Sequence, residues 1–311
     1  MFCIVSVRGF WLSAARCTVV PFYDAHNHFQ DDWLRPHRTP VDGALRALGL
    51  RRAVVNGTCE ADWPVVAELA GKYDWILPSY GLHPWDCGNR SPDWQERLRA
   101  QLDADPRAAV GEIGLDRWIL DRARPDDPRL AGLRRAPLAE QTQAFVWQLE
   151  LAAEQNRPAS IHCLDAFGAM LETLQQTRRP VRGFLLHAYS GPAEMVTNFA
   201  KLGAYFSFNG NFLKALDTTR RPGAASRLEV WKSIPPDRLL VETDAPAMPL
   251  PPDRTAHRLP PAPGGESINH PGNIEAAYAG LASLLGESVE TLAARVETNF
   301  TRLFGPAAAR G

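Results

Sequence analysis

The sequence predicts an α/β protein, a TIM-like (β/α)8 barrel in a single domain, from two observations. Eight short apolar or β-branched runs recur along the 311 residues, and stretches with helical periodicity separate them. Strands that alternate with helices pair in parallel, because parallel neighbours need a crossover connection. Eight such units are typical of a closed barrel. A doubly wound open sheet is the alternative, since the number of strands does not establish closure.

The predicted elements follow one another in a regular order. In chain order the strands are VVPFYDAH, RRAVVNGTC, WILPSYGLH, AAVGEIGLD, RPASIHCLD, VRGFLLHAYS, LGAYFSFNG and DRLLVETDA. Ser91 and Pro92 are a helix-start signal for PDWQERLRAQL. In EQTQAFVWQLELAAEQ, an apolar stripe of Phe145, Leu149 and Ala152 suits an outer helix that packs on the sheet.

Composition excludes several classes of protein. The formal charge of -1 predicts no basic surface for nucleic acid, so a nucleic-acid substrate would need a local site. Five scattered cysteines without a C-x-x-C pair disfavour a disulfide framework and favour a reducing compartment, the cytoplasm. No apolar run is long enough to predict a membrane span. Residues 1–19 are interpreted as an N-terminal extension, because Arg8 interrupts the apolar run that a targeting signal would need.

Two irregular stretches follow predicted strands. Residues 117–137 contain six arginines and come after the fourth strand, and a Pro-rich stretch, residues 249–271, comes after the eighth. Active sites of barrels lie at the carboxyl ends of the strands, so we expect residues 117–137 to cover the site and help select the substrate. The alternative is a solvated surface, as charge runs usually are.

Ionisable residues end six of the predicted strands, and a barrel brings these ends to one mouth. They are His26, His28, His83, Glu112, Asp116, His162, His187, Glu242 and Asp244. Taken singly, His162 and His187 could be core histidines that backbone groups satisfy. Glu112 is harder to explain, because a carboxylate between glycines in an apolar strand is costly to bury unless it is paired or binds metal. Glu242 and Asp244 on one interior face would repel each other without a cation.

A bound metal ion would compensate both for the burial of Glu112 and for the repulsion between Glu242 and Asp244. Mixed imidazole and carboxylate ligands favour a transition metal over calcium, and Glu112 could bridge two ions. We expect one or two divalent ions, zinc, manganese or magnesium, with their identity left open. His83 lies on the same rim without being needed as a ligand, so it could contact a phosphate oxygen or assist the leaving group. Alternatively, His83 only caps the turn at Pro84. Nucleophile-elbow, P-loop and dinucleotide-binding motifs are missing from the sequence.

The ordered motifs DAHNHF, GLHPWD, VGEIGLD, SIHCLDA, LLHAYSG, YFSFNG, VETDAP and ETNFTRLFG resemble the TatD-like metal-dependent hydrolases of the amidohydrolase superfamily. The resemblance covers residues 20–305, and several relatives are deoxyribonucleases. It implies a metal-dependent phosphodiesterase on a TIM-like barrel. It also implies that one ion is held by His26, His28, Glu112 and Asp244, and the second by Glu112, His162 and His187.

The resemblance leaves the substrate open. Leu164 stands where the family often has an arginine, so one expected phosphate contact is missing, and His270 in NHPGNI is expected to face the pocket. The expected reaction is attack of a metal-bridged hydroxide on a DNA phosphodiester or a small phosphodiester, with Asp244 accepting the proton. Hydrolysis of another ester or amide, which Leu164 favours, is one alternative. A barrel that only binds a ligand is the other.

Overall fold

The computed structural model describes residues 20–216 and 228–306, and within them eight parallel strands form one sheet in the sequential order β1 to β8. The predicted extension, residues 1–19, lies outside this description. The strands are β1 (Phe22–Asn27), β2 (Leu50–Asn56), β3 (Ile76–Tyr80), β4 (Ala109–Asp116), β5 (Ala159–Leu164), β6 (Phe184–Leu186), β7 (Ala204–Asn209) and β8 (Leu239–Glu242).

The sheet closes into a barrel where β8 meets β1. Just beyond β8, the amide of Asp244 donates to the carbonyl of His26 at 2.9 Å, and the amide of His28 donates to the carbonyl of Ala245 at 2.7 Å. These bonds join the two outer strands, so the prediction of a (β/α)8 barrel is confirmed and the open doubly wound sheet is wrong. Closure also places all eight carboxyl ends on one rim.

The helices form the outer layer. They are α1 (Arg38–Leu48), α2 (Trp63–Lys72), α3 (Trp94–Ala104), α4 (Trp118–Asp121), α5 (Leu138–Glu154), α6 (Phe167–Gln176), α7 (Ala193–Lys201), α8 (Val230–Ser233), α9 (Ile274–Leu285) and α10 (Val289–Phe304). The predicted stripe of Phe145, Leu149 and Ala152 on α5 is buried, and α5 packs on β4. Each fully buried large apolar side chain contributes about 1.5–3 kcal/mol to folding. None of the helices described here has the length and apolar character that crossing a lipid bilayer requires.

Glycine at the centre of β4 allows an unusually close approach to β5. A Cβ atom on Gly114 would collide with the carbonyl oxygen of His162. Glycine therefore lets the two backbones come together, in a register that pairs Gly114 with His162. This approach places Glu112 of β4 beside the imidazole of His162.

Candidate metal centre

The structure brings the six predicted ligand side chains together at the barrel mouth, where their donor atoms form two groups. In the first group, Nε2 of His28 lies 3.2 Å from Nε2 of His26, 3.2 Å from Oε2 of Glu112 and 3.4 Å from Oδ1 of Asp244. Nε2 of His26 lies 3.3 Å from the same glutamate oxygen and 3.7 Å from the same aspartate oxygen. These four side chains come from β1, β4 and the residues that follow β1 and β8.

The second group forms around the other oxygen of Glu112. Oε1 of Glu112 lies 2.9 Å from Nε2 of His187 and 3.0 Å from Nδ1 of His162, and these two nitrogens are 3.4 Å apart. Each oxygen of Glu112 therefore faces its own set of donors. This is the arrangement that a carboxylate bridging two ions requires.

The donor groups fit divalent ions of the size of zinc. Ligands about 2.0–2.2 Å from a tetrahedral ion lie about 3.3–3.6 Å from one another, which falls within the 2.9–3.7 Å range of the observed separations. The remaining ring nitrogens are occupied by other partners: Nδ1 of His26 lies 2.8 Å from Oγ of Ser160, and Nδ1 of His28 lies 2.9 Å from the carbonyl of Asn56. Such contacts fix the ring orientation and leave Nε2 free to bind.

The ionisable groups of the centre shift one another's pKa values. Burial alone would raise the pKa of Glu112, but the imidazoles of His83, His187 and His26 outweigh burial and hold this pKa well below its usual value. Burial opposes a charge on His28, yet hydrogen bonds to Asp244 and Glu112 raise its pKa well above the ordinary value. The imidazoles around Glu112 therefore favour its charged form, which is the form that binds metal.

Asp24 alternates with His26 along β1, yet it does not join the donor groups. Its Oδ2 accepts from Oγ1 of Thr243 at 2.6 Å, and its Oδ1 accepts from the Thr243 amide at 3.0 Å. Burial raises the pKa of Asp24 to about 7. The pair fixes the turn before Asp244, whose left-handed backbone (φ 53°) is one that Asp tolerates better than most residues.

Glu242, expected beside Asp244 as a second interior carboxylate, lies behind the second donor group. It accepts hydrogen bonds from Oγ of Ser207 and, at 3.3 Å, from Nδ2 of Asn209. Its Oε1 lies 3.5 Å from Nδ1 of His187. The carboxylate therefore faces His187 from the side opposite Glu112, while Nδ1 of His187 makes no hydrogen bond within the described residues.

Asp116 holds His162 by a hydrogen bond. Oδ2 of Asp116 lies 3.0 Å from Nε2 of His162 and accepts from Nε1 of Trp85 at 2.7 Å. Gln141 on α5 fixes this strand end, because its Oε1 accepts from the Asp116 amide at 2.8 Å. Sequence reasoning missed the role of Gln141. A buried glutamine on the apolar face of a helix was the available signal.

His83 borders the second donor group. Its Nδ1 accepts from the amide of Trp85 at 3.2 Å, and its Nε2 lies 3.4 Å from Oε1 of Glu112. Burial lowers the pKa of His83, although Glu112 partly opposes the effect. The geometry is that of a neutral imidazole whose single N–H points into the centre.

Two further predictions from the sequence concern Leu164, the last residue of β5, and His270, which precedes α9. Leu164, at the end of β5, is half-buried, and the guanidinium of Arg122 lies 3.2 Å from Oδ2 of the next residue, Asp165. His270 accepts from the amide of Gly272 at 2.8 Å and stacks on His257 at 5.1 Å. The observed contacts of His270 are thus with Gly272, in the turn before α9, and with His257, and none of the donor groups includes it among the described residues.

Fold and site together define a metal-dependent hydrolase built on a closed barrel. A family model described as TatD related DNase matches residues 23–305. The chain therefore belongs to the TatD related DNase family.

Individual relatives cover most of the chain. It is 30% identical over 265 residues to the 3'-5' ssDNA/RNA exonuclease TatD of Klebsiella pneumoniae, covering 85% of this chain and 90% of the relative. It is 27% identical over 286 residues to the uncharacterized metal-dependent hydrolase YabD of Bacillus subtilis, covering 91% and 98%. The crystal structure of the TatD homologue YJJV from Escherichia coli K12 aligns with a TM-score of 0.72 and 26% identity over 92% of this chain and 98% of that one.

Proposed function

We propose that this protein hydrolyses phosphodiester bonds in single-stranded DNA and releases nucleotides. One observation supports the proposal most directly: Glu112 directs one oxygen into each of two donor groups. Paired ions that share a carboxylate are typical of enzymes that act on phosphate esters. The relative from Klebsiella pneumoniae is named as an exonuclease of single-stranded DNA and RNA, which favours the same substrate class.

We propose two divalent ions for this centre. The first would be held by His26, His28, Glu112 and Asp244, and the second by Glu112, His162 and His187. Bound ions would polarise the phosphoryl group, acidify an attacking water and neutralise developing charge. The share of imidazole among the donors favours zinc or manganese over magnesium.

Asp244 and His83 would act on the substrate. The side chain of Asp244 is 11% exposed and so is open to solvent, and its carboxylate accepts the proton of the attacking water. Nδ1 of His83 accepts from the Trp85 amide, so the proton of its neutral ring is on Nε2. His83 therefore donates a hydrogen bond to a phosphate oxygen, the first of the two roles that the sequence suggests.

The cytoplasm is our proposal for the compartment. It is supported by the free thiols of Cys59, Cys87 and Cys163 and by the scattered pattern of the five cysteines.

Hydrolysis of another ester or amide is a second candidate, and Leu164 favours it. The apolar side chain of Leu164 ends β5, where a phosphodiesterase would gain from a cation. The guanidinium of Arg122, 3.2 Å from Asp165, is a cation close to this strand end. A barrel that only binds a ligand does not require the seven ionisable side chains that come together at this mouth.

A nuclease assay with controlled metal content tests the proposal. Metal-free protein is supplemented with Zn²⁺, Mn²⁺ or Mg²⁺ and incubated with single-stranded or duplex DNA labelled at one end, with Glu112→Gln as the inactive control. We expect metal-dependent shortening of the single strand, and labels at the 3' or the 5' end give its direction. Hydrolysis of carboxylic esters or amides, without release of nucleotides from DNA, would establish the second candidate instead.

A further inference from the structure

Two tryptophans and an arginine form a stack beside the metal centre. Trp118 begins α4 in the 117–137 segment, and its ring stacks on that of Trp85 with centroids 6.0 Å apart and planes at 22°. The guanidinium of Arg129, from the same segment, lies 4.7 Å from the Trp118 ring centroid and 5.9 Å from that of Trp85. We call these three side chains the aromatic stack.

The aromatic stack is joined to the second donor group by one carboxylate oxygen. Oδ2 of Asp116 accepts from Nε1 of Trp85 at 2.7 Å and lies 3.0 Å from Nε2 of His162. The ring of His83 contacts the edge of Trp85 at 5.8 Å. A substrate held at the donor groups would therefore place its neighbouring nucleotide close to the stack.

Arg129 combines a position over the tryptophan rings with a fixed guanidinium plane. Like Arg117 and Arg122, which pair with carboxylates at 2.8 and 3.2 Å, it is paired with a carboxylate of its own segment or of the next strand end. Nε and Nη2 of Arg129 donate to Asp127 at 2.9 and 2.7 Å, which fixes the plane of the guanidinium. Across residues 20–216 and 228–306, Nη1 of Arg129 has no hydrogen-bond partner, and the side chain is 57% exposed.

We propose that Trp118 and Arg129 form a nucleotide subsite next to the metal centre, an inference that rests on the proposed function. The base that adjoins the scissile phosphodiester packs on the exposed surface of the Trp118 indole, and Nη1 of Arg129 donates to the adjoining phosphate. Aromatic rings and guanidinium planes stack on every base, so the subsite favours single strands with little sequence preference.

The alternative hypothesis is that the aromatic stack only packs the 117–137 segment onto the barrel. Docking would support activity on every substrate equally, whereas a base-stacking subsite acts only on a substrate that has a base at that position. Removing the base from the substrate therefore separates the two readings.

The test compares two end-labelled oligothymidylates of equal length. One is unmodified, and in the other a tetrahydrofuran abasic unit replaces the nucleoside next to the first scissile bond. kcat/KM is measured for wild type, Trp118→Ala and Trp118→Phe. The matched control is Trp147→Ala, since Trp147 is also half-buried and pairs with a tryptophan, Trp94, at 4.9 Å, but in the outer helix layer.

We expect wild type to prefer the unmodified strand by about 10-fold or more, the size of effect that stacking on one aromatic side chain produces. Trp118→Ala should reduce this ratio to about 1 while still cleaving the abasic strand, and Trp118→Phe should keep most of it. Trp147→Ala should keep the wild-type ratio. Arg129→Gln should raise KM for both strands without changing kcat, because its contact is to phosphate.

An unchanged ratio in Trp118→Ala, with both strands cleaved more slowly by one factor, would assign the stack to docking and overturn the subsite. A wild type that cleaves both strands equally would overturn it too. If wild type with its metals cleaves neither strand, the proposed function itself fails.

Discussion

The metal centre and the 117–137 segment meet at the carboxyl end of β4, yet they are built in opposite ways. In the centre, Glu112 is buried, and the second nitrogens of His26 and His162 are held by Ser160 and Asp116 of other strands. In the segment, exposed arginines pair with nearby carboxylates, as Arg129 does with Asp127. The barrel thus fixes the reactive groups, while the segment can change its surface without disturbing them.

Replacing Glu112 by Gln should break the centre and leave the segment unaffected. The neutral amide cannot bridge two ions, so we expect turnover on single-stranded DNA to fall by at least about 10³-fold, with loss of bound metal. Metal analysis and initial rates measure this, and circular dichroism checks the fold. Glu154→Gln, on the exposed face of α5, is the matched control and should behave as wild type. Full metal content with normal turnover in Glu112→Gln would refute the bridging role.

Replacing His83 by Ala should have the next largest effect. Loss of the Nε2–H that points into the centre removes one hydrogen bond to the reacting phosphate, so we expect kcat to fall by about 10²-fold with metal still bound. His83→Asn, which keeps a donor, should recover part of the loss. Metal loss equal to that of Glu112→Gln would instead make His83 a ligand of the second donor group.

Replacing Asp116 by Asn tests the side chain that links His162 of the metal centre to Trp85 of the aromatic stack. Asn keeps an acceptor for His162 but removes the charge, so we expect metal affinity of the second donor group to fall by about 10-fold. Titration of metal-free protein with Zn²⁺ measures this effect. The control, Asp121→Asn, removes a carboxylate that pairs only with Arg117 in the segment and should leave the affinity unchanged. Equal effects of the two variants would contradict the proposed support of His162.

Replacing Arg117, Arg122 and Arg124 together by Gln should have the smallest effect. Their side chains are 48, 68 and 75% exposed and face carboxylates, and exposed pairs of this kind contribute about 0–1 kcal/mol. We expect kcat/KM on single-stranded DNA to change by less than about 3-fold at 0.15 M salt. A loss above 10-fold, relieved on a neutral ester substrate, would mean that these arginines bind the DNA backbone.

Much of this architecture was predictable from local sequence. Alternating strand and helix patterns predicted the eight parallel strands, and parallel strands in a barrel must bring His26, Glu112 and Asp244 to one rim. The cost of burying Glu112 in an apolar strand was a sound reason to expect a charged partner, and the structure gives it five imidazole neighbours.

Tertiary structure alone decided which ionisable groups face the donor cluster and which lie behind it. Glu242 looked like a further member of the ionisable cluster, but it bonds to Ser207, 35 positions away, and Asp24, in the same strand as His26, bonds to Thr243, 219 positions away. Strand periodicity tells which face a side chain takes, whereas its hydrogen-bond partner depends on the register of strands distant in sequence. The stack of Trp85, Trp118 and Arg129 could not be predicted from the sequence either, because residues from two loops that follow different strands form it.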